Sequence, residues 1–280
     1  MNQLGTSEAL RPTDSDVTLE GVGLSKHFGA VTAVEHVDIQ LRRGVVTALV
    51  GDNGAGKSTV VKMLTGALAP DEGRLLFMGE EVRFRGPRDA RRLGIEAIWQ
   101  NLALSDNLDV ASNLFLGREL VYGSRLRLVA PLRFKAMAKE SEAKLHELGA
   151  RVTALSGVPA RNMSGGQQQA IAIAKAAGWA TRVLFMDEPT AALGVQQSER
   201  VLDSAKQLAA KGVAVLIISH SIPQILEVAD LVIVLRHGRK VAELPAHQAT
   251  PERIVTLMVF GSETNDVGLI GDASVRERER

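Results

Sequence analysis

The 280-residue sequence contains no cysteine, which suits a reducing compartment and leaves no disulfide framework to argue from. Charge of one sign is also missing. Lys and Arg total 33 against 32 for Asp and Glu, so no excess argues for nucleic acid or an anionic surface as partner. No apolar run approaches the ~20 residues that a membrane span requires. Residues 1–16 are polar and read as disordered, without the apolar core of a secretory signal. Any service to a membrane is therefore expected from outside it, through a partner. The length suits one large domain, or one domain with a smaller lobe.

The most informative stretch is Gly51, Asp52, Asn53, Gly54, Ala55, Gly56, Lys57, Ser58 and Thr59. It fits a phosphate-loop pattern: a glycine, four residues, then Gly-Lys-Ser/Thr. An apolar run, Val45 to Val50, precedes it and reads as a buried strand. Lys57 to Gly66 follows and reads as a helix with Val60, Val61 and Leu64 on its apolar side. Glycines let such a loop curl so that successive N–H groups face a polyphosphate, and the helix N-terminus adds partial positive charge. Lys57 then reaches the β- and γ-phosphates, and the Ser58 hydroxyl holds Mg²⁺. The pattern implies a nucleoside triphosphate site.

Before the loop, Val17, Leu19 and Val22, then Val37, Ile39 and Leu41, alternate with polar residues, as in an antiparallel sheet wet on one face. Phe28 lies between these strands, where an aromatic serves either sheet packing or stacking on a purine. After the loop helix come a turn at Pro70 to Gly73, a strand from Arg74 to Met78, a helical turn from Pro87 to Leu93, and a strand from Ile95 to Trp99. That last strand ends on Gln100, at the carboxyl edge where ligands sit in open α/β sheets.

From about 102 to 163 strand signals fade, and the segment reads as a helical lobe inserted in an α/β core. Within it, Ala136 to Leu148 forms an amphipathic helix with Ala136, Ala143, Leu145 and Leu148 among its apolar positions. Arg125, Arg127, Arg133 and Lys135 give the lobe a basic, solvated face. Ser164, Gly165, Gly166 and Gln167 open the next helix, Gln168 to Gly178, as a second anion-ready N-terminus. The buried strand Val183 to Met186 ends in two carboxylates, Asp187 and Glu188. Such a pair is costly unless a cation or polar group meets it. Beside a phosphate loop, Asp187 suits the Mg²⁺ shell and Glu188 can polarise water for attack on the γ-phosphate. A helix from Val195 to Lys211 and a strand from Val213 to Ile218 follow. That strand leads to His220, which alone of the six histidines follows a buried strand and can reach a γ-phosphate. A hairpin about His237-Gly238 and a helix from Pro251 to Val259 complete the pattern, and 262–280 reads as a flexible tail.

Taken in order, these motifs resemble an ABC-transporter ATPase subunit over residues 17 to 260. The loop Gly51 to Gly56, Phe115 to Glu119 and Ala191 to Gly194 resemble the bacterial carbohydrate importers of ribose, xylose and fructose type. The resemblance implies an α/β P-loop NTPase core of mainly parallel strands, an N-terminal antiparallel β subdomain and the helical lobe, in one nucleotide-binding domain over 17–261. It makes Gly51 to Thr59 the Walker A loop and has Asp187 and Glu188 close Walker B. Gln100 becomes the Q-loop residue touching Mg²⁺ and the attacking water. Ser164 to Gln167 become the signature that caps the partner subunit's ATP, His220 the switch histidine, and Phe28 the adenine-stacking aromatic. Catalysis then falls to Glu188, His220, Gln100 and Lys57, and metal binding to Ser58, Gln100 and Asp187. Two positions depart from the pattern: Met163 stands for the usual Leu before the signature, a volume-conserving change, and Gly194 stands for an Asp.

With one phosphate loop and one signature per chain, that geometry implies a homodimer, head to tail. The expected function is ATP hydrolysis that powers sugar import through integral-membrane permease subunits. The expected place is the cytoplasmic face of the inner membrane, with a periplasmic sugar-binding protein as indirect partner and no nucleic acid. Rival readings are an exporter's ATPase, a soluble ABC ATPase acting on DNA or ribosomes, and a small-molecule kinase.

Overall fold

The computed structural model describes residues 16–99, 103–122, 130–147, 157–190 and 193–262. The segments expected to be disordered at the two ends fall largely outside these residues, as do Gln100, Arg125, Arg127, Leu148, Ala191 and Ala192.

Alternation of apolar and polar residues pairs β1 (Val17–Phe28) with β2 (Val31–Arg42) as an antiparallel hairpin. The fully buried strand β3 (Val46–Val50) follows and runs through the loop into α1 (Lys57–Leu64). The chain then returns to the first sheet as β4 (Glu72–Phe77) and a short β5 (Glu80–Val82), giving the order β2-β1-β4-β5. Next come α2 (Pro87–Arg92) and β6 (Ile95–Ile98). The lobe contributes α3 (Val110–Leu114) and α4 (Phe134–Glu147), and α5 (Gly165–Ala177) leads back to the core. There β7 (Val183–Asp187), α6 (Val195–Ala210), β8 (Ala214–Ile218), α7 (Ile222–Leu226), β9 (Leu231–Arg236), β10 (Arg239–Pro245) and α8 (Pro251–Phe260) follow.

The second sheet has the order β10-β9-β3-β8-β7-β6, with only the edge strand β10 antiparallel to its neighbour. Parallel strands covered on both faces read as unbroken apolar runs, and β3, β7 and β8 are buried at every residue. Their side chains still alternate. Val46, Ala48, Leu184, Met186, Val215 and Ile217 join one core with α6 and α8. Leu49, Phe185, Leu216 and Ile233 face the other, with α1 and the antiparallel sheet. Each large apolar side chain so covered stabilises the fold by ~1.5–3 kcal/mol relative to exposure. Both faces are thus strongly favoured, and every strand end that carries chemistry is fixed on a rigid layer.

The lobe has its own small core of Val110, Leu114, Phe115, Met137, Leu145, Ile171 and Ala174. This corrects the expected stripe on α4. Its inner face is Met137, Ser141 and Leu145, spaced by four, whereas Ala143 is exposed because two residues' rotation carries it to the far side. The expected basic face is described only at Arg133, which lies over the Tyr122 ring, and at exposed Lys135. Helix α5 belongs to both bodies: Ile171 and Ala174 face the lobe, while Ile173, Ala176 and Ala177 face the sheet. Just beyond it, Trp179 meets Phe115 edge-on at 5.5 Å and lies beneath Arg118 and Lys144 at 4.8 and 4.3 Å. Its indole N–H donates to the Leu114 carbonyl at 3.1 Å. The elements that sequence periodicity did not mark, β5, α3 and α7, are three to five residues long, too short to show a period.

Candidate nucleotide site

The loop after β3 needs glycine at two places for steric reasons. Gly51 has φ 154°, and a Cβ there would stand 2.3 Å from the Leu235 carbonyl oxygen. Gly56 has φ 98°, and its Cβ would stand 2.6 Å from the carbonyl oxygen of Ala33. The loop is therefore pressed between the end of β9 and the start of β2. The β9–β10 turn, expected at His237-Gly238, holds it further: the Gly238 N–H donates to the Ala55 carbonyl at 3.1 Å.

Lys57 folds back over this loop. Its ammonium donates to the carbonyls of Gly51 (2.7 Å) and Asp52 (2.9 Å). Burial pushes it below the usual lysine range, while the carboxylates of Glu188, Asp187 and Asp52 pull it back. Desolvating a cation costs free energy that a bound anion would offset. Asp52, Asn53, Gly54 and Ser58 are exposed, so the outer side of the loop is accessible. Thr59 is half-buried on α1.

Asp187 ends β7 and is buried. Burial raises its carboxyl above the ordinary range, the Ser58 hydroxyl bonded to it works the other way, and the nearby Glu188 charge adds to the rise. The hydroxyl and carboxylate are two hard oxygen donors in contact. Among the described residues no cluster of three or more His, Cys, Asp or Glu could form a complete metal cage. A pair of this kind fits Mg²⁺, which keeps several waters and takes further ligands from phosphate oxygens.

Glu188 has a left-handed backbone, φ 51°, and its N–H donates to Ile218 on β8 at 3.0 Å. Its carboxylate meets the imidazole Nε2 of His220 at 2.7 Å. Parallel β3, β7 and β8 thus bring Lys57, Asp187, Glu188 and His220 to one edge of the sheet. Phe28 is half exposed at the hairpin tip of β1, with the Lys26 ammonium 6.0 Å from its ring centre.

The Ser164 turn caps α5. The Ser164 Oγ accepts from the Gln167 backbone N–H at 3.3 Å, and the Gln167 side-chain Oε1 accepts from the Ser164 backbone N–H at 3.0 Å, a reciprocal capping box. Ser164 and Gly165 are exposed, and nothing within 4 Å occupies the space where a Gly165 Cβ would stand. Gly166 faces the Gln197 side-chain amide, which accepts from the Gly194 N–H at 3.3 Å. Sequence reasoning missed Gln169 and Gln197. Both are ordinary polar residues on helices, and only the fold shows which way they face.

A glycine-cradled loop with a buried lysine, at the carboxyl ends of parallel strands and beside paired acids, defines a phosphate-loop nucleotide-binding domain. Residues 34–191 match the family model described as ABC transporter, and the chain belongs to that family. It is 41% identical over 245 residues to the fructose import ATP-binding protein of Rhizobium meliloti, covering 86% of this chain and 93% of that protein. Identity is 42% to the xylose/arabinose import ATP-binding protein of Sulfolobus acidocaldarius, with the same coverage of 86% and 93%. A ribose import ATP-binding protein of Streptomyces coelicolor is 41% identical over 87% of this chain, which spans only 46% of that relative. Among solved structures, a nucleotide-free ATP-binding cassette from an ABC transporter superposes with TM-score 0.72 at 27% identity, covering 87% of this chain and 95% of that one.

Proposed function

We propose that the chain is the ATP-hydrolysing subunit of a sugar importer, acting as a homodimer on the cytoplasmic face of the membrane against a partner permease. The observation that carries the hydrolytic reading is the Glu188–His220 contact at the edge that also holds Lys57 and Asp187. The sugar is inferred from the relatives, whose names specify import of fructose, of xylose or arabinose, and of ribose.

In this reading the Glu188 carboxylate orients a water and takes its proton as the water oxygen bonds to the γ-phosphorus. The bond to the β-phosphate oxygen breaks and ADP leaves. Lys57 compensates negative charge on the phosphates, His220 holds the Glu188 carboxylate, and Gln100 assists the water. Ser58, Asp187 and Gln100 would hold Mg²⁺, which would supply further charge neutralisation on the phosphate oxygens. The exposed Phe28 ring is free to stack on adenine.

The dimer is supported by the outward-facing signature. Ser164 and Gly165 are exposed and offer a hydroxyl and open space that no packing in their own chain requires filled. A second copy's nucleotide meets those requirements, and residues 17–261 form the domain that supplies both halves. Among the described residues no helix is long and apolar enough to cross a membrane. A groove of about 930 Å³ between α2, β6 and the lobe, lined by Arg91, Trp99, Leu116, Ala172 and Trp179, suits a docking segment of the permease.

The test is uptake in the source organism. Deleting the gene should abolish transport of one labelled pentose or hexose from a panel that includes ribose, xylose and fructose. The wild-type gene should restore it and Glu188→Gln should not. Unchanged uptake of every sugar in the deletion strain would overturn sugar import. Restoration by Glu188→Gln would overturn the hydrolytic role.

A further inference from the structure

Glu188 is held in an unfavourable backbone shape. A non-glycine residue at φ 51° is uncommon, and the following Pro189 disfavours compact conformations at the position before it. Such strain, of order 1–3 kcal/mol, persists only where the surroundings fix it. On the amino side the Glu188 N–H is fixed to Ile218. On the carboxyl side Pro189 has no N–H, so its carbonyl is the only backbone group it can offer. That carbonyl accepts a hydrogen bond from the side-chain amide of Gln169 at 2.6 Å.

Gln169 is 5% exposed and lies on α5, one turn beyond the capping box of Ser164 and Gln167. A helix moves as a body over so short a distance. Its first turn is the signature surface, and its next turn grips the peptide that follows Glu188. We propose that Gln169 is a positioning residue for hydrolysis: its amide, set on the signature helix, holds the Glu188–Pro189 backbone so that seating of that helix sets the Glu188 carboxylate. This rests on the assignment of Glu188 to the attacking water. It adds a link between the surface that meets a second copy's nucleotide and the acid that serves the chain's own.

The bond could instead only satisfy a buried carbonyl, and the two roles differ in what they move. Gln169→Met keeps length and bulk but removes the donor. As a positioning change it should lower kcat for ATP by about 10²-fold, the scale expected of small misplacement at a reacting centre. KM should stay within about twofold, because Lys57 and its loop are untouched. Gln169→Glu is a donor only when protonated, and burial favours that form. Its kcat relative to wild type should therefore rise as pH falls from 8 to 6, while the ratio for Gln169→Met stays flat.

Both variants are compared with wild type and Glu188→Gln, with the folded fraction followed by circular dichroism. If Glu188→Gln is inactive while Gln169→Met turns over at the wild-type rate, the positioning role falls and the Glu188 assignment stands. It also falls if the loss only tracks the folded fraction, or if the Gln169→Glu ratio is flat with pH. If Glu188→Gln is as fast as wild type, the underlying assignment fails and this inference with it. Should Gln169→Met not fold, the pH profile of Gln169→Glu decides.

Discussion

The Glu188 carboxylate and the His220 imidazole are 2.7 Å apart, on the ends of the neighbouring parallel strands β7 and β8. Each therefore helps to orient the other. Glu188→Gln leaves an amide that can still meet His220, so shape survives and basicity is lost. Turnover should fall ~10²–10⁴-fold, the usual worth of a positioned base, while equilibrium binding still detects ATP. His220→Ala keeps the carboxylate but removes this contact, and should cost less than Glu188→Gln. A larger loss for His220→Ala would reverse the two roles.

Asp187 should trade stability for its site. Burial raises its folded-state pKa above the unfolded value near 3.8. In that window the folded chain keeps a proton that the unfolded chain releases, so stability declines as pH rises through it. At neutral pH the full cost is present. Asp187→Asn removes the charge and keeps an oxygen for Ser58. Its Tm at pH 7 should exceed the wild-type value, by roughly 2–4 °C for each kcal/mol relieved, and the gap should close below pH 4. Hydrolysis should be lost in the same variant. A lower Tm at pH 7 would contradict the burial account.

Two glycines of the loop should behave differently. At Gly54, φ is 82° and nothing lies within 4 Å of a built Cβ, so Gly54→Ala adds strain alone. That costs about 1–3 kcal/mol. At Gly51 the same change drives carbon to 2.3 Å from the Leu235 carbonyl oxygen and requires β3 and β9 to separate. Its cost should exceed ~4 kcal/mol. Urea unfolding of the two variants measures the difference, and equal costs would refute the close approach.

In the groove, Glu96 is nearly buried and ion-paired with Arg118, with Arg91 at 3.9 Å. Desolvation still holds its carboxyl above the ordinary range, with Arg118 opposing most strongly. Removing Arg118 leaves the buried Glu96 charge to the longer Arg91 contact, so Arg118→Ala should destabilise by about 3 kcal/mol. Adding Glu96→Gln to that variant should recover most of the loss. Additive costs in a double-mutant cycle would show that the pair does not interact.

The main strands were legible because burial on both faces leaves unbroken apolar runs, and turn residues punctuate them. The loop and the acid pair were legible because phosphate chemistry needs particular residue types in a fixed order. What stayed hidden depends on helical phase. Gln167, Gln168 and Gln169 look alike in the sequence, yet the first caps its own helix, the second donates to the Ala160 carbonyl at 2.9 Å, and the third reaches Pro189. On α4 the inward positions went to Met137 and Ser141 instead of the alanines, because rotation about the axis counts for more than apolarity alone. The partnership of Arg118 with Glu96 and Trp179 joins three distant stretches of the chain, and no local pattern announces it.

The caged tryptophan also gives the protein an optical signal. The chain has two tryptophans, Trp99 beside the end of β6 and Trp179 between the lobe and α5. The indole of Trp179 has two cations on it and an aromatic edge against it, an environment whose fluorescence responds to small displacements of Arg118 or Lys144. With Trp99 replaced by Phe, tryptophan emission, excited where Tyr122 does not absorb, would come from Trp179 alone. Rotation of the lobe against the sheet could then be timed in stopped flow on the unlabelled protein.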